Sequence, residues 1–147
     1  YDINKDGQVD LFIKDPNGAN DELYYNNSGT FNYNDRVALP GPVLNGVFYD
    51  AEDRLFYDLD NDNIEEIITF FIPPSFTNGP ESYIQVLKKI GNEYVDVTST
   101  FITSPSIGKT LVFLRISDID KNGKINLFEY ENKTGSWNVE WNGRTFN

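Results

Sequence analysis

Three windows of the sequence carry oxygen-bearing side chains at the same alternate positions. They begin at Asp2, Asp58 and Asp118, and each follows the pattern D-x-[DN]-x-[DN]-[GN]-x-x-[DEN] ahead of an apolar, strand-like run. Hard divalent cations prefer oxygen ligands, and Ca²⁺ takes about six to eight of them at about 2.3–2.6 Å. The windows therefore predict three loops that bind calcium.

A tightly turning loop of this type directs five ligands at one point, namely the side chains at positions 1, 3, 5 and 9 and the carbonyl at position 7. In the first loop the expected ligands are Asp2, Asn4, Asp6, the carbonyl of Gln8, and Asp10. In the second loop they are Asp58, Asp60, Asp62, the carbonyl of Ile64, and Glu66. In the third loop they are Asp118, Asp120, Asn122, the carbonyl of Lys124, and Asn126.

Position 6 of each loop must tolerate a left-handed backbone. Gly7 and Gly123 suit that conformation, and Asn63 is permitted in it. The number of carboxylates at the ligand positions then ranks the loops, since fewer formal charges generally mean weaker Ca²⁺ binding. The second loop has the most and the third the fewest, so we expect the third loop to bind most weakly.

Two other interpretations of the windows are open. Asp, Asn and Gly dominate ordinary surface turns, although three windows in matching register favour metal binding. An EF-hand is the second alternative, because Glu129 occupies position 12 of the third window. Ile13 and Thr69 stand there in the other windows, and the flanks argue against helices, since 110–116 is rich in β-formers and 132–135 contains a turn signal.

A second signal repeats behind each loop and indicates the elements that position it. Segments 28–31, 91–94 and 143–146 each place a Gly turn before an aromatic residue, and they follow the strand-like segments 22–26, 83–89 and 136–141. Each unit therefore reads strand, acidic loop, strand, connection, strand, tight turn, strand. This predicts an all-β chain of four-stranded antiparallel meanders, divided into units 1–34, 35–100 and 101–147 with loops 2–10, 58–66 and 118–126.

Composition excludes several classes of function. The chain of 147 residues has no Cys and no His, so disulfides, thiolate or imidazole metal sites and Ser-His or Cys-His nucleophiles are ruled out. Its net charge of −11 disfavours nucleic acid as a partner. No apolar run approaches the ~20 residues of a membrane span. The start at Tyr1, without an initiator Met, is expected of a segment cut from a longer protein.

Segments 2–13, 58–69 and 118–129 resemble the calcium loops of FG-GAP repeats, also called VCBS-type repeats, which occur in integrin alpha-chain propellers and in bacterial surface proteins. The resemblance implies a partial β-propeller of two full blades and one incomplete blade, with each loop joining the first two strands of a blade. Because a propeller closes with about four to eight blades, the remaining blades of the parent propeller are expected partners. Asn63, Glu66 and Asn126 depart from the usual Gly, Asp and carboxylate, which favours the bacterial exported type.

The resemblance implies a non-catalytic, extracellular or cell-surface module in which structural calcium supports adhesion, that is, binding of a protein or glycan ligand. Phe76, Tyr49 and Tyr33 are candidate contact residues if they are exposed; the alternative is that they pack between blades. A polysaccharide lyase or hydrolase is a second possibility, because carboxylate pairs can perform acid–base chemistry on sugars. The remaining acids Asp50, Glu52 and Asp53 read as a solvated run instead. A purely structural spacer is the third possibility.

Overall fold

The computed structural model describes residues 1–15, 20–44, 46–72, 82–103, 106–107, 114–118, 121–129, 138–140 and 145–146. The described strands are β1 (Leu11–Ile13), β2 (Asn20–Tyr24), β3 (Asn26–Asn27), β4 (Thr30–Phe31), β5 (Val37–Pro40), β6 (Val43–Leu44), β7 (Val47–Phe48), β8 (Asp50–Tyr57), β9 (Glu66–Ile72), β10 (Ser82–Ile90), β11 (Glu93–Asp96), β12 (Ser106–Ile107), β13 (Leu114–Ser117), β14 (Asn126–Glu129) and β15 (Asn138–Glu140). The helical segments are a 3₁₀ turn, Tyr33–Asp35, and one short helix, α1 (Thr98–Phe101). The expected all-β class is confirmed.

The middle sheet has the strand order expected for the second unit. Strands β8, β9, β10 and β11 pair consecutively and antiparallel, and the acidic loop joins β8 to β9. Gly91 makes the tight turn between β10 and β11 with a φ of 63°, a left-handed value that suits glycine. Strand β12 pairs with the start of β10. Nearly every residue of β9 is buried, as expected for a central strand covered on both faces.

The first unit, expected as an incomplete blade that lacks the strand before Asp2, pairs its strands differently from the expected order. Strands β1, β2 and β5 form a three-stranded sheet, while β3 and β4 pair only with each other around the Ser28–Gly29 turn. The chain leaves the sheet after Tyr24 because the Asn26 amide donates to the Asp10 carboxylate, 2.9 Å away, instead of to a neighbouring strand. Strand β5 therefore pairs with β2, although the sequence-based boundary at residue 34 assigns β5 to the second unit.

In the third unit, β13, β14 and β15 pair in sequence as an antiparallel sheet, again with the acidic loop between the first two strands. Half of the expected closing hairpin at 137–146 lies outside the described residues. Phe146, which is described, makes a parallel bridge with Ile102, and its amide donates to the carbonyl of Phe101 over 2.7 Å. The aromatic end of this unit is thus joined to the segment that follows the middle sheet.

The middle sheet packs against the other two sheets through two hydrophobic clusters. Towards the third unit the buried members are Leu59, Ile68, Phe70, Ile84, Val86, Phe101, Ile102, Leu127 and Phe146. Towards the first unit they are Ile3, Leu23, Leu39, Ile67, Leu87 and Tyr94. Successive residues of β9, Ile67 and Ile68, serve opposite clusters because side chains alternate along a strand. No helix in the described part of the chain has the length and apolar content to cross a bilayer.

Candidate metal loops

The three acidic loops share two left-handed backbone positions. Positions 4 and 6 have left-handed φ values in every loop: Lys5 59° and Gly7 89°, Asn61 60° and Asn63 69°, Lys121 60° and Gly123 87°. The expectation for position 6 is confirmed. The left-handed residue at position 4 is not predicted by the motif, because Lys, which stands there in the first and third loops, carries no sequence signal for this conformation. Of the predicted ligands, Asp120 lies outside the described residues.

The same hydrogen bonds hold each loop in this shape. The position 1 carboxylate accepts from the amides of positions 5 and 6: 3.1 and 2.8 Å at Asp2, 3.1 and 2.9 Å at Asp58, 3.0 and 2.8 Å at Asp118. The position 5 side chain accepts from the amide of position 7, over 2.9 Å at Asp6, 2.8 Å at Asp62 and 2.9 Å at Asn122. Short polar side chains commonly bond to nearby amides in this way. Here the bonds turn the side chains at positions 1 and 5 inward.

Position 9 is buried in all three loops. The exposed fraction is 5% for Asp10, 0% for Glu66 and 4% for Asn126. In the first two loops the position 9 carboxylate accepts from the amide of position 2, which is Ile3 or Leu59, over 2.8 Å. A buried carboxylate is costly unless hydrogen bonds or an opposite charge compensate it. The geometry at this position therefore suits a group that meets a cation.

Position 2 anchors the first two loops to the hydrophobic clusters. Ile3 is only 8% exposed and belongs to the cluster towards the first unit. Leu59 is only 2% exposed and belongs to the cluster towards the third unit. The sequence motif allows any residue at position 2. The signal that would have found it is the apolar residue at position 2 of every window, Ile3, Leu59 and Ile119.

Strands border the loops. Tyr57 pairs with Glu66 across the second loop, and Ser117 pairs with Asn126 across the third. At the first loop the Asp10 amide donates to the Tyr1 carbonyl over 2.7 Å, the same offset of nine residues along the chain. An EF-hand requires helices on both sides of its loop. The EF-hand interpretation is therefore wrong for the second and third loops.

The second loop brings three carboxylates close together. One oxygen from each of Asp58, Asp60 and Glu66 lies within 4.8 Å of the others, which is close enough for one metal ion. These are hard oxygen donors, and Glu66 Oε1 is buried without a hydrogen bond. The donor set therefore fits Ca²⁺.

A lysine reaches the same oxygens. The Lys88 Nζ atom lies 2.5 Å from Asp60 Oδ2, 2.6 Å from Asp62 Oδ2 and 3.2 Å from Glu66 Oε1. The last contact is an ion pair that lacks the geometry of a hydrogen bond. Burial alone would lower the pKa of Lys88, but the three carboxylates outweigh it and raise that pKa. The Lys88 hydrogen bond lowers the pKa of Asp62, while burial raises the pKa of Glu66.

At the third loop the residue that approaches from the neighbouring strand is a carboxylate, whereas at the second loop it is the Lys88 ammonium. Glu140 accepts from the Asn122 side-chain amide and from the Lys124 ammonium, each over 2.7 Å. These two bonds lower the pKa of Glu140. Neither Lys88 nor Glu140 belongs to the sequence motif, because each lies on the third strand of its unit, 14 or more residues beyond position 9.

The first and second loops lie side by side. Glu65, at position 8 of the second loop, is hydrogen-bonded by the Tyr1 hydroxyl and lies 3.6 Å from the Lys5 ammonium. The Tyr1 ring stacks on Phe56 with centroids 4.0 Å apart. A cleft of about 280 Å³ opens between the two loops, and its lining consists of Ile3, Asn4, Lys5, Asn63, Ile64, Glu65, Lys89 and Gly91.

The structure separates the three candidate contact aromatics. Tyr33 is 63% exposed, and the Arg36 guanidinium lies 3.8 Å from its ring centroid. Tyr49 is 4% exposed, so the alternative that its ring packs inside the protein holds for this residue, and it is not a contact residue. Phe76 lies outside the described residues.

The acids considered for carbohydrate chemistry lie beside cations. Lys14 Nζ is 3.6 Å from the Asp50 carboxylate and 3.9 Å from that of Glu52. Arg115 donates to Asp53 over 3.2 Å. These pairs connect the middle sheet to both neighbouring units. Each of these three acids thus lies beside a lysine or an arginine.

Comparison with known proteins adds no assignment. The chain matches no protein-family model, and neither the search among curated proteins nor that among solved structures finds a significant match. The functional conclusion therefore depends on the geometry of the loops and sheets.

Proposed function

We propose that the chain is a calcium-stabilised, non-catalytic segment of a β-propeller of the FG-GAP or VCBS type, exposed on a cell surface or outside the cell. The observation that carries this proposal is the shared framework of the three loops. Each loop precedes a strand, and each has the same left-handed positions and the same side-chain to amide hydrogen bonds. Sheets that pack face to face, as blades do, support the propeller component.

Calcium would supply the positive charge that gathers the carboxylates of each loop. The residues that would hold it are those at positions 1, 3, 5, 7 and 9. Buried position 9 ties the ion to the strand that follows, so an occupied loop would fix the hairpin against the sheet. Ligands that bind only the folded state stabilise it by about 2.7 kcal/mol at a concentration 100 times their dissociation constant. Extracellular modules of this type bind in the ~0.1–1 mM range.

The surface between the first and second loops supports a role in binding a protein or glycan. Its cleft is lined in part by the polar residues Asn4, Asn63, Lys5 and Glu65. Such groups can satisfy the hydroxyl groups of a sugar or the polar atoms of a peptide. Because Asn4 is also a predicted calcium ligand, the ion would order one side of this cleft.

The lyase or hydrolase alternative receives no support from the described residues. The acids at 50, 52 and 53 are engaged with Lys14 and Arg115. The ligand-binding role and the spacer role differ in one respect that can be measured. A spacer binds neither glycans nor neighbouring proteins when its calcium loops are filled.

The test of the proposal is thermal unfolding of the chain in EDTA, in calcium and in magnesium at constant ionic strength. Calcium should raise the melting temperature well above the value in magnesium, since the flexible oxygen-rich loops suit the larger ion. Asp58→Asn should reduce this rise. The matched control is Glu93→Gln, which removes an exposed carboxylate of β11 outside the loops. An equal melting temperature in EDTA and calcium would overturn the proposal.

A further inference from the structure

The ammonium of Lys88 lies among the carboxylates of the second loop, where a bound cation would be expected. Its nitrogen is within 3.2 Å of oxygens from Asp60, Asp62 and Glu66. The Lys88 side chain is only 17% exposed, so it is packed against the protein along most of its length. A long side chain that points into solvent would be far more exposed than this.

The pairing of strands places Lys88 there. Leu87 of β10 pairs with Ile67 of β9, so the next residue along β10 lies beside Glu66. On its other side Lys88 pairs with Val95 of β11. Because side chains alternate across a sheet, Leu87 enters the hydrophobic cluster while Lys88 projects to the opposite face and reaches over the loop.

The equivalent cross-strand position in the other two units carries a different charge. Glu140 pairs with Asn126 in the third unit, and Tyr25 follows Tyr24, the partner of Leu11, in the first. The second loop has four carboxylates at its ligand positions and gains one ammonium. The first has three and gains no formal charge; the third has two and gains one carboxylate. The second loop is thus the one whose cross-strand neighbour is a cation.

We propose that Lys88 is a tethered counter-cation, which holds the second loop closed without a divalent ion and must be displaced when calcium enters. This inference rests on the proposed calcium function. It explains how four carboxylates, one of them fully buried, can share a hairpin while no metal is bound. It also sets the calcium affinity of the second loop below the value that its carboxylate count implies, because the ion has to replace three existing contacts.

The test compares Lys88→Met with Lys89→Met. Both variants remove one positive charge from β10, but Lys89 lies over the Tyr25 ring, 4.7 Å from its centroid, and no contact between it and the second loop's carboxylates is described. Calcium titrations are followed by NMR at the Asn63 amide, which donates to Asp58 and so reports on the second loop. Thermal unfolding in EDTA measures the stability of the calcium-free state.

Lys88→Met should tighten calcium binding at the Asn63 amide on the order of tenfold, since the competing charge is gone. The same variant should melt about 3 °C or more below the wild type in EDTA. Lys89→Met should change neither quantity in this way. If Lys88→Met does not fold without calcium, Lys88→Gln keeps a hydrogen-bond donor and permits the same affinity comparison.

Unchanged or weaker calcium binding in both Lys88 variants would overturn the inference, because Lys88 would then not compete with the ion. If the proposed calcium function itself is wrong, a different pair of results is expected. In that case calcium leaves the Asn63 amide of the wild type unmoved, while Lys88→Met still lowers the melting temperature in EDTA. That result would overturn calcium binding and support the counter-cation role alone.

Discussion

Asn126 of β14 lies directly across the sheet from Glu140 of β15, so a carboxylate stands beside the one loop whose position 9 lacks it. We expect Glu140→Gln to weaken calcium binding at the third loop several-fold while leaving the first two loops unchanged. The Gly123 amide, which donates to Asp118, reports on this loop in an NMR titration. An equal loss of affinity in Glu93→Gln would show that overall charge, and not Glu140, is responsible.

Replacement of Leu59 by Ala should destabilise the chain by about 2–5 kcal/mol, because it leaves a cavity at a fully buried leucine. Calcium affinity at the second loop should fall as well, since Leu59 fixes position 2 beside Glu66. Denaturant unfolding gives the first quantity and a calcium titration the second. Ile64→Ala is the control: Ile64 is 44% exposed, and its loss should cost about 0.5 kcal/mol or less.

Glu65→Gln should uncouple the first loop from the second. Glu65 is not a predicted ligand, yet it contacts Tyr1 and Lys5 of the neighbouring loop. We expect the variant to bind the same number of calcium ions with a Hill coefficient closer to one, as measured by calorimetric titration. Tyr1→Phe removes the hydroxyl bond but keeps the stack on Phe56, and it should have a smaller effect of the same sign.

Glu22 gives a pH dependence that does not involve the loops. Hydrogen bonds from Tyr24 and from Arg36 lower its pKa in the folded protein. A carboxylate with a lowered pKa in the folded state stabilises the folded protein at pH values above its unfolded pKa of about 4.3. This stabilisation is lost as the pH falls through the folded pKa. Glu22→Gln should therefore remove part of the acid limb of a plot of unfolding free energy against pH, measured by urea denaturation. An unaltered acid limb would contradict the Glu22–Arg36 link between β2 and β5.

The sequence predicts the middle sheet well because its signals are local. The acidic window, the apolar run of β9 and the turn at Gly91 each mark an element within a few residues of themselves. The departure in the first unit has a distant cause. Asn26 turns away from the sheet because it meets Asp10, and no local pattern in segment 22–31 announces a partner 16 residues earlier.

The same distinction holds for the candidate site. Spacing within each window predicts the ligand positions and the left-handed residue at position 6. The charge that surrounds a loop also depends on its cross-strand neighbour, Lys88 or Glu140, whose approach is set by strand register. A ranking of the loops by their own carboxylates therefore omits these neighbouring charges.

Strand β9 separates two hydrophobic clusters, with Ile67 in one and Ile68 in the other. If the middle sheet alone unfolded, both flanking sheets would lose the apolar surface against which they pack. Repeat arrays can unfold unit by unit when the interfaces between units are weak. Here one strand, β9, contributes side chains to both interfaces. Unfolding is therefore expected to be a single all-or-none event, in which a calcium ion bound at any one loop protects all three sheets.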